Sequence, residues 1–239
     1  MNTEFVIVAK DNDFKLERNM TAQFEAAHPN VKFNYVSDNK LALADVYNTF
    51  IEQHRANKDI DCLILMHADV YLNIENLLKH IEEVKDKYDV LGLCGCSKIS
   101  VGQSPLNWWT GSNPYPKHKW GCVSHGEIGN TLSFFSEHHP AVTDHEAACI
   151  DGLCIVLLKK AIEDSDILFD RTFAFSHYDT DFSFQCVMKK NLKLGVIVQK
   201  DLQHWSVGKS ITTPEFMNSE KLFREKWHFE AKNKENEKP

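Results

Sequence analysis

Four short apolar runs, residues 4–9, 31–36, 61–66 and 90–94, punctuate the first hundred residues of this 239-residue chain. Between the second and third, Leu41, Ala44, Val46, Tyr47, Phe50 and Ile51 recur near helical spacing, and after the third Ile74, Leu77, Leu78, Ile81 and Val84 do the same. Apolar runs of this length separated by helical stretches read as βαβ units, because parallel strands need a long crossover between them. The pattern predicts an α/β fold: a Rossmann-like, mainly parallel central sheet flanked by helices. Asn48 falls within the first of these helices, facing or near the sheet's active edge.

The rest of the chain is less regular. Over residues 97–146 Gly, Pro, Ser, His and Trp are frequent and periodicity is lost, which predicts a long, partly ordered insertion at the mouth of a site. A buried strand is expected over Ala148–Leu158, then a short helix near Lys159–Asp164, a helix over Asp179–Lys190 and a strand over Leu194–Val198. After Pro214, Phe216, Leu222, Phe223 and Trp227 on a charged background predict an amphipathic docking helix, followed by a polar tail. With no repeat and no linker, the expectation is one domain over residues 1–215, and a C-terminal helix and tail over 216–239.

Composition narrows the function classes. Hydrophobic residues at 43% and charged residues at 26% suit a globular chain with a sizeable core. A net charge of −7 offers no footprint for duplex nucleic acid. Met1 runs into Phe5-Val6-Ile7-Val8 without a basic leader, so no export signal is read, and runs such as Leu153–Leu158 fall far short of the ~20 residues that span a bilayer. The expected setting is cytoplasmic, with peripheral membrane contact left open. Seven cysteines, an odd number, include Cys62, Cys94 and Cys154 inside apolar segments, and Cys94-Gly95-Cys96 is too tight for a CxxC pattern. Buried free thiols are expected.

Chemistry concentrates in three places. The run Asp61 to Met66 ends abruptly in His67-Ala68-Asp69, two potential metal ligands where a parallel strand opens on the sheet's ligand-binding edge. A carboxylate there needs a cation, a helix N-terminus or several donors; the alternative is that Asp69 caps the helix beginning near Asn73 while His67 packs. Second, Ser176-His177-Tyr178-Asp179-Thr180-Asp181 sets two carboxylates at a helix start, where one is held ionised as a base or both merely cap. Third, His204 follows the strand Leu194–Val198 on an expected loop, as a ligand or as an ordinary hydrogen-bonded histidine.

Taken in order, these segments resemble the GT-A glycosyltransferases, especially their large family 2 and the smaller majastridin-like group, over residues 4–210. The resemblance implies a GT-A (nucleotide-diphospho-sugar transferase) fold with a nucleotide-binding half over 1–96 and an acceptor half over 97–215. It sets His67-Ala68-Asp69 where the family has Asp-x-Asp or Asp-x-His, so that Asp69, His67 and the downstream His204 hold a divalent metal and the donor diphosphate. Tyr178-Asp179-Thr180-Asp181 is similar to the family's Glu-Asp-x-Asp, with Tyr178 in place of the first acid and Asp179, or Asp181 one half-turn on, as the general base. Asp11 and Asp38 match nucleoside contacts. Asn48 matches the Asn of an Arg-Asn pair whose Arg is here Tyr47. Asp151-Gly152 matches a small-residue segment beside the donor sugar and acceptor, and His177 is grouped with it.

What the resemblance implies is an inverting transfer from a UDP-sugar to a hydroxyl of a glycan, lipid or small molecule. Imidazole beside carboxylate favours Mn²⁺ over Mg²⁺ as the cofactor. Trp108 and Trp109 offer faces on which a sugar ring stacks, or anchor their own loop. Two other classes stay in view: a non-catalytic nucleotide- or sugar-binding domain of the same fold, and a metal-dependent nucleotidyltransferase or hydrolase, although neither G-x-G-x-x-G nor a Walker motif is present.

Overall fold

The computed structural model describes residues 1–9, 28, 31–99, 118–126, 132–135, 144–163, 166–205 and 212–228. Its centre is a seven-stranded sheet in the order β2 (Lys32–Val36), β1 (Thr3–Val8), β3 (Cys62–His67), β11 (Cys154–Leu158), β5 (Val90–Gly92), β12 (Leu194–Ile197) and β9 (Asp144–Ala147). β1 pairs in parallel with β2 and β3, and β12 with β5, while β11 and β9 run against their neighbours. The five strands β2, β1, β3, β5 and β12 therefore share one direction, and the fold is mixed α/β with a large central sheet flanked by helices. β1, β3 and β11 are buried on both faces, which explains why their sequences are near-continuous apolar runs instead of alternating ones.

Helix α1 (Leu43–Asn57) buries Ala44, Val46, Tyr47, Ile51 and His54 on one stripe and stops at Lys58, whose left-handed φ of 54° lets its N–H close on the His54 carbonyl. Helix α2 (Ile74–Val84) starts at Asn73, whose side chain accepts from the Asn76 N–H. Asn73, and not Asp69, is thus the cap of that helix.

A second, smaller sheet runs in the order β10 (Cys149–Ile150), β6 (Cys94–Cys96), β7 (Lys119–His125), β13 (Gln203–His204) and β4 (Val70–Tyr71), with β8 (Leu132–Phe135) on the other side of β7. Three expectations change here. The single strand expected over Ala148–Leu158 is broken by a turn at Asp151–Leu153, because Asp151 Oδ1 accepts from the Leu153 N–H and bends the chain from β10 into β11. The stretch expected as an insertion contains β7, β8 and most of β9; its Gly, His and Trp residues hid the alternation. His204, expected on a loop, lies in a strand. The helix expected over Asp179–Lys190 is α4 (Tyr178–Phe184) followed by a wide π turn over Gln185–Lys189. No helix among the described residues is long and apolar enough to cross a membrane.

Helix α5 (Pro214–Lys226) is capped by Thr213 and packs Phe216 and Phe223 against α4 and its approach; α3 (Lys159–Glu163) follows β11 directly. One buried carboxylate fastens α5 down. Asp181, 0% exposed, accepts from Lys226 Nζ at 2.7–2.8 Å, Trp227 Nε1 at 2.9 Å and Gln185 Nε2 at 2.7 Å, and Lys226 also reaches Asp170 at 2.7 Å. Removing the cation leaves a buried negative charge with only two neutral donors. Lys226→Met is therefore expected to lower stability by about 3 kcal/mol, read as a fall in the urea midpoint at unchanged slope. A midpoint equal to wild type would mean that Asp181 does not depend on this lysine.

Candidate active site

The end of β3 is fixed from both sides: the His67 N–H donates to the Leu153 carbonyl at 3.0 Å and the Ala68 N–H to the Val8 carbonyl at 3.3 Å. The chain then leaves the large sheet and enters the small one as β4, where Val70 lies opposite His204, and the Trp205 N–H donates to the Asp69 carbonyl at 2.9 Å. This switch of sheets delivers His204 to His67 and Asp69 across more than 130 residues of sequence. Ligand atoms of the three side chains all lie within 4.8 Å of one another, the one such trio of His, Cys, Asp or Glu among the described residues. His204 Nε2 is 3.4 Å from Asp69 Oδ1, and the Asp69 side chain is 37% exposed, so the cluster is open to solvent from the carboxylate side.

The electrostatics suit a cation. Burial pulls the His67 pKa down, against the opposing pull of Asp69, and favours its neutral ring. Burial would also raise Asp69, but the hydrogen bond from His204 and that ring's positive charge outweigh it and hold the carboxyl below its usual range. For His204 burial acts downward, and its bond to Asp69 and that carboxylate's charge raise it on balance. The tautomer of His67 follows from its neighbour. Tyr178 Oη has a single hydrogen, which it donates to the Gly152 carbonyl at 3.0 Å, so at His67 Nε2, 2.8 Å away, it accepts. Nε2 then carries the ring proton and Nδ1 keeps its lone pair. Two imidazoles and a carboxylate are a donor set that could hold a divalent transition-metal ion, in contrast to the all-oxygen sets of Mg²⁺ and Ca²⁺.

Gly152 joins this cluster to a second one. Its N–H donates to Asp179 Oδ2 at 2.9 Å while its carbonyl takes the Tyr178 hydroxyl, and the Thr180 N–H donates to Asp179 Oδ1 at 2.7 Å. Burial first, and the nearby charge of Asp151 second, push the Asp179 carboxyl up to about 7, and the two main-chain donors restrain the rise. A carboxylate that exchanges protons near neutrality has the reactivity of a general base. No other residue fits at 152: a Cβ there would lie 2.0 Å from Tyr178 Oη.

The structure separates the remaining sequence candidates. His67, Asp69, His204, Asp151, Gly152 and Asp179 come together. Asp181 does not; it anchors α5, which distinguishes it from Asp179 two residues earlier. His177, at φ 63°, turns its ring onto Phe216 and Phe223 and its Nδ1 to Ser219 Oγ at 3.1 Å, and so takes part in the α5 contact. Asn48 is buried, and its amide both donates to the Phe169 carbonyl at 2.9 Å and accepts from the Phe169 N–H at 2.8 Å. Its geometry is that of a main-chain pin, with the amide oxygen and nitrogen both engaged by Phe169. Asp38 is exposed at φ 49° and pairs with Lys40. Asp11, Trp108 and Trp109 lie outside the described residues.

Tyr47 is wholly buried; its ring packs 5.5 Å from that of Phe169 and 6.4 Å from that of Tyr178, and its hydroxyl has no hydrogen-bond partner among the described residues. Sequence reasoning missed the part played by Tyr178, whose position beside Asp179 was read only as a lost acid, and it missed His125, which touches His204.

No family model matches the chain, and no curated protein does. Among solved structures, A197 from STIV is similar at a TM-score of 0.49 and 13% identity over 84% of this chain and 83% of that one. S. aureus TarS is similar at 0.44 and 12% identity over 98% of this chain and 41% of TarS. TarS 1-349 in complex with UDP-GlcNAc is similar at 0.45 and 14% identity, over 98% of this chain and 68% of that one. At these scores and identities no residue role passes from those proteins to this chain.

Because a side chain at 152 must push Tyr178 away from His67, Gly152→Ala is expected to destabilise the fold by about 1–3 kcal/mol and to move the His67 ring resonances. A melting curve and His67 signals indistinguishable from wild type would show that Tyr178 is not confined there.

Proposed function

We propose that this chain is a metal-dependent glycosyltransferase of the GT-A type, moving a sugar with inversion from a nucleotide-diphosphate sugar, UDP-sugar favoured, to an acceptor hydroxyl on a glycan, lipid or small molecule. One observation carries the reading: the His67–Asp69–His204 trio and the neutral-range carboxylate Asp179 are joined through a single residue, Gly152, and its tyrosine partner. A leaving-group site and a base held at a fixed separation are what a single displacement with inversion requires.

Asp69, His67 and His204 would hold the divalent cation, manganese in preference to magnesium, which supplies charge neutralisation for the leaving diphosphate. Asp69 stays ionised through its hydrogen bond with His204, and Tyr178 keeps the His67 lone pair on Nδ1. Asp179 takes the proton of the acceptor hydroxyl as its oxygen attacks the anomeric carbon. The bond from that carbon to the diphosphate oxygen breaks, and the nucleoside diphosphate leaves with the electron pair. Asp151 and Gly152 stand beside the transferred sugar, with Trp108 and Trp109 as stacking faces, while Asp11 and Asp38 meet the nucleoside. An acceptor in a membrane would be met peripherally, and the setting is proposed as cytoplasmic.

The test is a panel of UDP-, GDP- and CMP-sugars with Mn²⁺, reading thermal shift and nucleotide release. Asp69→Ala should lose metal-dependent nucleotide binding; wild-type affinity for UDP and Mn²⁺ in that variant would remove the metal assignment. Asp179→Asn should bind as wild type but lose transfer by about 100-fold or more. A shift without release, across varied acceptors, would favour the binding-domain reading, for which the loss of an acid at Tyr178 speaks.

The pH dependence has a definite sign. The Asp179 pKa is raised in the folded state, so catalysis should rise with pH through about 7 and level off above it. Its effect on stability runs the other way. The protonated form is favoured by folding, so its contribution is full below the unfolded value of about 4 and is lost as pH climbs to about 7. Asp179→Asn should therefore be more stable than wild type above neutrality, by about 2–4 kcal/mol, and no more stable at pH 4. Urea titrations at the two pH values measure the difference.

A further inference from the structure

The cation trio does not end at three residues. In the small sheet, β13 lies parallel to β7, and the register sets His204 directly beside His125. Their rings meet edge-on at 65° with centroids 5.2 Å apart, and His204 Nδ1 is 3.3 Å from His125 Nδ1. Two ring nitrogens at that distance share one hydrogen: one is N–H and the other presents its lone pair. On its opposite side His204 turns Nε2 toward Asp69 Oδ1. If Nε2 is the atom offered to a cation, Nδ1 must carry the hydrogen and His125 Nδ1 must accept it.

We infer that His125 is a positioning residue of the cation site: by accepting the Nδ1 hydrogen of His204 it fixes the tautomer that leaves Nε2 available as a ligand. Tyr178 does the same for His67 from the other flank, with the nitrogens exchanged, since there Nε2 carries the hydrogen and Nδ1 is the ligand atom. Both imidazoles of the trio are thus held in the ligating form by a hydrogen-bond partner from another element, one on β7 and one on α4. Partners of this kind fix ring orientation and raise ligand basicity. The backbone keeps the two rings side by side, because His125 and His204 are neighbours in a ladder whose other rung pairs Gln203 with Ser124.

This inference rests on the cation site proposed above, and the experiment separates the two. Mn²⁺ binding, followed by loss of the free-ion EPR signal, is compared in wild type, His125→Leu and His125→Asn, with metal-free melting curves as the folding control. His125→Leu is expected to weaken Mn²⁺ binding by about 10–100-fold. His125→Asn, whose side-chain oxygen sits near the place of Nδ1 and can accept the same hydrogen, should recover most of it. Equal affinity in wild type and His125→Leu overturns the role of His125 and leaves the cation site standing. No binding in wild type overturns the cation site and the inference with it. Ring-nitrogen NMR of the wild type loaded with diamagnetic Zn²⁺ needs no variant: a protonated Nδ1 on His204 facing an unprotonated Nδ1 on His125 is expected, and the reverse assignment in the loaded protein overturns the inference even if every variant misfolds.

Discussion

The hydroxyl of Tyr178 is the contact on which the rest of the site depends. It lies 2.8 Å from His67 and 3.0 Å from the Gly152 carbonyl, in a space that any Cβ at position 152 would occupy. A phenol with one hydrogen and two neighbours has a forced direction of donation, and that direction sets the protonation of His67. The same glycine donates its N–H to Asp179, so the end of β3, the turn before β11 and the start of α4 are held in one arrangement. A rotation of α4 would therefore disturb the histidine and the carboxylate together.

The second constraint is the passage of one chain from one sheet to another. β3 belongs to the large sheet up to His67, and two residues past Ala68 the chain pairs instead with β13. Strands that change partners at a sheet's edge leave side chains at the changeover with no sheet face to pack against, and here those side chains are His67 and Asp69. The small sheet then supplies His204 and His125 from segments far apart in sequence. Its strands are short, and their value lies in register more than in buried area: a shift of one residue would turn His204 to the opposite face.

How much of this was legible follows from the range of each signal. The parallel strands and α1 and α2 announce themselves because burial on both faces makes apolar runs, and one-sided burial makes a 3.6-residue period. The Asp151 turn was hidden inside an apolar stretch, since its bend comes from a single side-chain-to-main-chain bond. At the site, His67 and Asp69 were readable as polar residues abruptly ending an apolar run, and Asp179 as one of two carboxylates at a helix start. Asp181, His177 and Asn48 looked equally functional in sequence, yet they hold α5 and Phe169, and which side of a helix faces which neighbour depends on packing over 40 to 120 residues of separation. His125 gave no signal at all, because only the pairing of β7 with β13 gives it meaning. Asp11, Trp108 and Trp109 stand where sequence left them.

The clamp between α5 and Asp181 also orders events in time. α4 carries Asp179 toward Gly152 and, half a turn on, Asp181 toward Lys226 and Trp227. In chain order β1, β2 and β3 precede α4, whereas Lys226 and Trp227, the partners of Asp181, follow it, so synthesis from the N-terminus covers that face of α4 late. The contacts of Asp179 with Gly152 and Thr180 can thus form while Asp181 still lacks its cation, and the α5 clamp is the last of these contacts to close.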